Sequence, residues 1–229
     1  GNYSTGIYSF AYTLASIQSL ISLVIYNAWI PDYYKLMDNE DYDKHDKQVL
    51  FILKILTFTA CSLVLFSDIL GLILGSKSFH SGLYLIPIIV LGIYISTVIP
   101  TFSRHFSYRK QTYFISGIVI TSGIINVLLN YIYIPKFGIA ASAYTTLISY
   151  LFQLLLTYGI VKYILKIHTT RLSEILILSL PLILCVLLYY SILENVTALS
   201  IIYRLVMFFM CIAFFFGRYI YDIYYQEEE

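Results

Sequence analysis

Asn126 and Asn130 stand four residues apart inside an apolar run, a spacing that puts two side-chain amides on one face of a helix. An amide left unbonded away from water costs a few kcal/mol, so both must meet partners, either in the turn toward Pro135 or at a polar cavity. Gln153 offers the same chemistry in the following apolar run. In the first run Tyr8, Tyr12, Ser16, Ser19, Ser22 and Tyr26 recur at helical spacing, with Gln18 beside them. Such a stripe is either the wall of a hydrated cavity, able to hydrogen-bond a hydroxyl-bearing ligand, or the hydrogen-bonding glue between neighbouring helices, at about 0.6 kcal/mol per contact. Gln18, Ser22, Asn126, Asn130 and Gln153 are the candidate cavity-lining residues.

Arg204 lies about seven residues into the last apolar run, where a charge marks either a functional site or a long side chain that snorkels to the outer headgroups. Snorkelling is the expectation for Arg204, and for Lys54 near the inner end of the second run. No catalytic constellation emerges: there are no paired carboxylates at mid-membrane, no nucleophile beside a histidine, no metal-ligand spacing and no glycine-rich phosphate loop. Cys61, Cys185 and Cys211 are far apart in sequence and read as small buried hydrophobes, and His45, His80, His105 and His168 fall in or beside hydrophilic loops. No catalytic residue, metal or cofactor is expected.

The elements that must position these groups follow from composition. The 229 residues are 59% hydrophobic and only 12% charged, about half the charge of a soluble domain, so lipid is the solvent for most of the chain. Apolar runs about twenty residues long call for helices, because barrel strands are shorter and alternate. The fold class is an all-α integral membrane bundle with about seven spanning helices, over 6–30, 49–66, 83–101, 112–134, 138–161, 173–192 and 198–217. A net charge of +1 without a basic face argues against nucleic acid as a partner.

Lys and Arg in the successive connections and the tail number 3, 1, 3, 1, 3, 0 and 1. By the positive-inside rule this alternation puts the Gly1 end outside and the C-terminus, with Arg218, in the cytoplasm. The first connection, 31–48, reads as a solvated loop. Ser67 or Asp68 is expected to break the second run and cap a short interfacial helix that Gly75 closes. Pro87, Pro100 and Pro181 each remove a backbone hydrogen bond and can kink a helix, either as a packing irregularity or as part of a moving transporter helix. Gly138 and Ser142 form a small-residue face for close helix packing. Tyr131, Tyr133, Tyr189, Tyr190, Tyr221, Tyr224 and Tyr225 near segment ends read as interfacial anchors.

Three ordered stretches resemble the polysaccharide transporter branch of the multidrug/oligosaccharidyl-lipid/polysaccharide exporter superfamily. They are Gly6-Ile7-Tyr8-Ser9 leading to Trp29-Ile30-Pro31; Leu65-Phe66-Ser67-Asp68-Ile69-Leu70 closed by Gly75; and Ser116-Gly117 with Ile125-Asn126-Val127-Leu128-Leu129-Asn130 and Ile134-Pro135-Lys136-Phe137-Gly138-Ile139-Ala140-Ala141-Ser142-Ala143. In the last stretch Ala140-Ala141-Ser142 replaces the usual Gly-Ala-Ala. Gly6, Tyr8, Pro31, Pro135 and Gly138 are the structural positions that this resemblance marks.

The resemblance implies that residues 1–165 are helices of the C-terminal lobe of a fourteen-helix flippase, lacking the lobe's first helix, and that 166–229 are two additional spans and a cytoplasmic tail. The implied activity is the translocation of undecaprenyl-linked oligosaccharide for surface polysaccharide by alternating access in a bacterial inner membrane. Its partners would be that lipid-linked oligosaccharide, membrane lipids, the missing N-terminal lobe of the same chain, and polysaccharide polymerase and glycosyltransferases. The cationic groups for a pyrophosphate are expected mostly in the missing lobe. Rival readings are a seven-helix receptor, whose retinal form would need a mid-span lysine where the last segment offers Arg204, and a membrane glycan polymerase or ligase, which would need a larger outer loop. Within the family, a drug exporter or a lipid II flippase would share the same features.

Overall fold

In hydrocarbon a backbone amide has only other backbone to bond, and the apolar runs close their hydrogen bonds locally, as helices. The computed structural model describes residues 2–193 and 196–226, with side chains for 4–192 and 196–217. The helices are α1 (Asn2–Ala15), α2 (Ile17–Asp38), α3 (Tyr42–Leu74), α4 (Ile86–Val98), α5 (Pro100–Tyr108), α6 (Tyr113–Phe137), α7 (Ala141–Gly159), α8 (Leu172–Leu188) and α9 (Ala198–Gln226). A 3-10 segment, Lys77–Leu85, leads into α4, and π-helical turns, Ile160–Ile164 and Tyr189–Leu193, end α7 and α8. Among the described residues seven stretches are long and apolar enough to cross a membrane: Ser4–Asp38, Tyr42–Leu74, Lys77–Tyr108, Tyr113–Phe137, Ala141–Ile164, Leu172–Ile192 and Ala198–Gly217. The protein is a multi-pass helical membrane bundle.

The helices run further than hydropathy predicts. The expected loop at 31–48 shrinks to a turn, because α2 continues past Pro31 to Asp38 and α3 starts at Tyr42. The Asp41 side chain accepts the Lys44 amide at 3.2 Å and caps α3, while Glu40 turns the chain with a positive φ of 54°. The expected break at Ser67 and Asp68 is also absent. α3 passes through both as one helix of 33 residues, about 50 Å by helical rise, and both side chains are buried. Neither caps anything; Asp68 has an ion-pair partner instead, described below. Pro87 makes no kink, since it lies in the first turn of α4, where a missing N–H removes no helical bond. Pro100 falls where α4 passes into α5, and Pro181 lies inside α8.

α4 is the hub. Its sequence, Ile86-Pro87-Ile88-Ile89-Val90-Leu91-Gly92-Ile93, is apolar all round, the pattern of a helix enclosed by others, and it packs against α1, α2, α3, α7 and α8. α6 sits at the rim on α7 and α5, turning Ile120, Val127 and Tyr131 outward. α9 lies along α3.

Small residues work differently from the expected face. Gly138 ends α6 at φ 72°, ψ −169°, a region almost reserved for glycine, and a Cβ there would meet nothing within 4 Å. Its role is conformational, not close packing, and the next helix starts at Ala141. Close approach occurs elsewhere, where a Cβ on Gly82 would lie 2.1 Å from Cγ2 of Ile7 in α1. A Cβ on Gly6 would be in ordinary contact with Phe79 at 3.7 Å, and Pro31 is exposed on α2. Of the expected tyrosine anchors, Tyr131 is 81% exposed but Tyr189 is buried in the core. The side chains of Arg218, Tyr221, Tyr224 and Tyr225, and all of Gly1, lie outside the described residues.

Candidate functional site

Two polar stripes face each other across α6 and α7. On α6, Val119, Ser122, Gly123 and Asn126 follow helical spacing, and on α7 Thr146, Ser149, Tyr150 and Gln153 do the same. With Tyr12 of α1 they line a groove of about 350 Å³. Every lining residue is uncharged. Ser122 donates to the Ile118 carbonyl and Ser149 to the Thr145 carbonyl, both at 2.8 Å, so these hydroxyls spend their proton on their own helix and keep oxygen lone pairs as acceptors.

Below the groove an amide ladder ties the two helices together. Asn130 Nδ2 donates to Asn126 Oδ1 at 3.0 Å, Asn126 Nδ2 donates to Thr146 Oγ1 at 3.4 Å, and Thr145 Oγ1 donates to Asn130 Oδ1. Asn126 therefore belongs to both the ladder and the groove, whereas Asn130 belongs to the ladder. Tyr8 stands one turn before Tyr12 on α1, its ring centroid 6.1 Å away.

Of the five expected cavity residues, Asn126 and Gln153 come together in the groove. Gln18 does not join them. It is fully buried, donates to the Leu56 carbonyl of α3 at 2.9 Å and accepts Thr59 Oγ1 at the same distance. Ser22 is also buried, and Tyr26 donates to the Thr97 carbonyl at 2.7 Å. This part of the first stripe holds α2 to α3 and α4. Ser122, Thr146, Ser149 and Tyr150 were not singled out from sequence, although their repeat of three, four and seven residues was visible there.

Arg204 does not snorkel. Its side chain is fully buried, and its guanidinium forks onto the Asp68 carboxylate: Nη2 reaches Oδ2 at 2.7 Å, Nη1 bonds Oδ1, and Nη1 also donates to the Leu65 carbonyl. A bidentate pair at this depth gives each charge a partner where water is absent. Lys54 is half-buried on α3.

Three of the histidines, which lie in or beside connections as expected, also gather, while His80 stands apart against the Gly75 carbonyl. His45 and His105 are buried, with ring centroids 5.7 Å apart, and the Tyr33 hydroxyl lies 2.9 Å from His105 Nδ1. Asp46 collects His45, His168 and Thr170 at 3.1, 3.0 and 2.8 Å, joining the start of α3 to the segment before α8. The three cysteines, isolated in sequence, also converge, with their sulfurs within 4.8 Å of one another among α3, α8 and α9.

No family model matches the chain, and no curated protein matches it either. Among solved structures, lipid II flippase MurJ in an inward closed conformation superposes with a TM-score of 0.58 at 17% sequence identity, covering 92% of this chain and 48% of that one. The likeness at that identity is one of fold, and the chain spans about half the length of the structure it matches.

Proposed function

We propose that this chain is one half of a flippase that translocates an undecaprenyl-linked oligosaccharide for surface polysaccharide by alternating access. The observation that carries the proposal is the fold shared over 92% of the chain with nearly half of a flippase. The uncharged groove adds to it. Sugars present hydroxyls, and a wall of hydroxyls and amides can exchange hydrogen bonds with them without the desolvation cost of a charge. In this proposal Tyr12, Asn126, Thr146 and Gln153 face the glycan, the second lobe of the same protein closes the cavity, and cations for the pyrophosphate come from that lobe.

The division into 1–165 as lobe helices and 166–229 as an added pair is part of the proposal. It is supported by α8 packing on α3 and α4 and α9 on α3 while the groove runs over α1, α6 and α7. The setting is a bacterial inner membrane, with the polymerase and glycosyltransferases of the same glycan as functional partners. A second reading, a lipid II cargo, is favoured by the flippase named above.

Deletion of the gene in its own cell tests both. Lipid-linked oligosaccharide trapped on the inner leaflet, relieved by the intact gene but not by one carrying Asn126→Ala with Gln153→Ala, is the expected result. Accumulation of peptidoglycan precursor instead would favour the lipid II reading. Normal surface glycan with neither species accumulating would refute both.

A further inference from the structure

We infer that Cys61, Cys185 and Cys211 form a binding site for a soft monovalent cation of the Cu(I) or Ag(I) class. The chain has three cysteines, and the fold brings all of them from three different spans to one point, with sulfurs within 4.8 Å of one another. All three are free thiols buried in the bundle. Nothing in the spacing of 61, 185 and 211 announces such a site, because it is assembled by tertiary packing.

Ligand chemistry selects the ion. The cluster is sulfur alone, without a carboxylate or imidazole, and thiolates and thioethers favour Cu(I) over hard cations. A structural Zn²⁺ site wants four protein ligands and brings two charges. Cu(I) is satisfied by two or three sulfurs, and its single charge is neutralised by one thiolate, so a site whose remaining sulfurs bind as neutral thiols adds no net charge to the apolar interior.

A second feature points to the same class. A groove of about 590 Å³ between α8 and α9 has Cys211 in its wall together with Met207 and Met210. The chain has only three methionines, so two of its thioethers line the same groove as this cysteine, with Met210 facing outward from the bundle within the span. They supply weak, exchangeable sulfur ligands on the way to the thiols. For every sulfur that binds as thiolate, one S–H bond breaks, one metal–sulfur bond forms and one proton leaves to water. The metal keeps its oxidation state.

The test uses the full chain purified in detergent and titrated anaerobically with Cu(I) buffered by bicinchoninate. The expected result is one Cu(I) taken from the chelator per chain, with a sulfur-only shell by X-ray absorption. Alanine at any one of the three cysteines should weaken binding by at least about tenfold, the lower end of the 10–100-fold cost of losing even an outer-shell partner. Met210→Leu should slow loading and leave equilibrium affinity unchanged. The wild-type measurement needs no variant to fold. A chain that takes no Cu(I), that binds it through nitrogen or oxygen, or that carries a disulfide between two of these cysteines when isolated without reductant overturns the site, as does a triple alanine variant that binds as well as the wild type.

Discussion

A guanidinium and a carboxylate buried together tolerate the interior only because each has the other. Asp68→Ala or Arg204→Ala leaves an uncompensated buried charge, and each is expected to destabilise the protein by about 3–5 kcal/mol. The joint replacement Asp68→Leu/Arg204→Leu removes both charges and should recover most of that loss. Unfolding midpoints of the purified protein in detergent measure all three, and single variants as stable as the wild type would contradict the burial of the pair. Sequence marks both residues as anomalies, an acid in one apolar run and a base in another. It does not mark them as partners, since 136 residues separate them and nothing local to either announces the other. The amide pair Asn126 and Asn130 is legible for the opposite reason: its spacing is local, and an amide in an apolar run must be answered nearby. Gln18 carries the same local signal and answers it with the α3 backbone, a choice that only packing makes.

Spans follow from hydropathy because about twenty apolar residues have few ways to exist in lipid, and all seven are legible. Their ends are not. Asp41 capping α3 and the passage of α2 through Pro31 are set by hydrogen bonds that hydropathy does not sense. Gly138 gives this scale its test. With φ at 72° and ψ at −169°, alanine there should cost about 1–3 kcal/mol, although no atom stands in its way. Gly117→Ala, inside α6 and equally unobstructed, should cost nothing measurable, and a thermal melt of the two variants side by side separates backbone strain from crowding. α3 and α9 carry a further constraint. Asp68 and Cys61 lie seven residues apart on one helix, as do Arg204 and Cys211 on the other, so the two helices meet at two points about 10 Å apart, an ion pair and a cluster of free thiols. Sliding α9 along α3 would break the ion pair and part the thiols at once.

For the whole molecule, the alternation of Lys and Arg predicts which ends face which side. With Lys77→Cys and Lys44→Cys introduced separately, a membrane-impermeant maleimide applied to intact cells should label position 77 and spare position 44; the reverse pattern would invert the topology. The native cysteines do not interfere, because all are buried. The groove is half legible: its amides stand out, while Ser122 and Ser149 pass as ordinary helix residues that bond their own backbone, and Thr146 meets Asn126 only through packing. Its lack of charge has a consequence for how it holds anything. Mobile ions screen charges, and hydroxyls and amides draw no counterions. If the proposed glycan binds here, it should bind equally in dilute and in concentrated salt, and any ionic-strength dependence should arise on another surface.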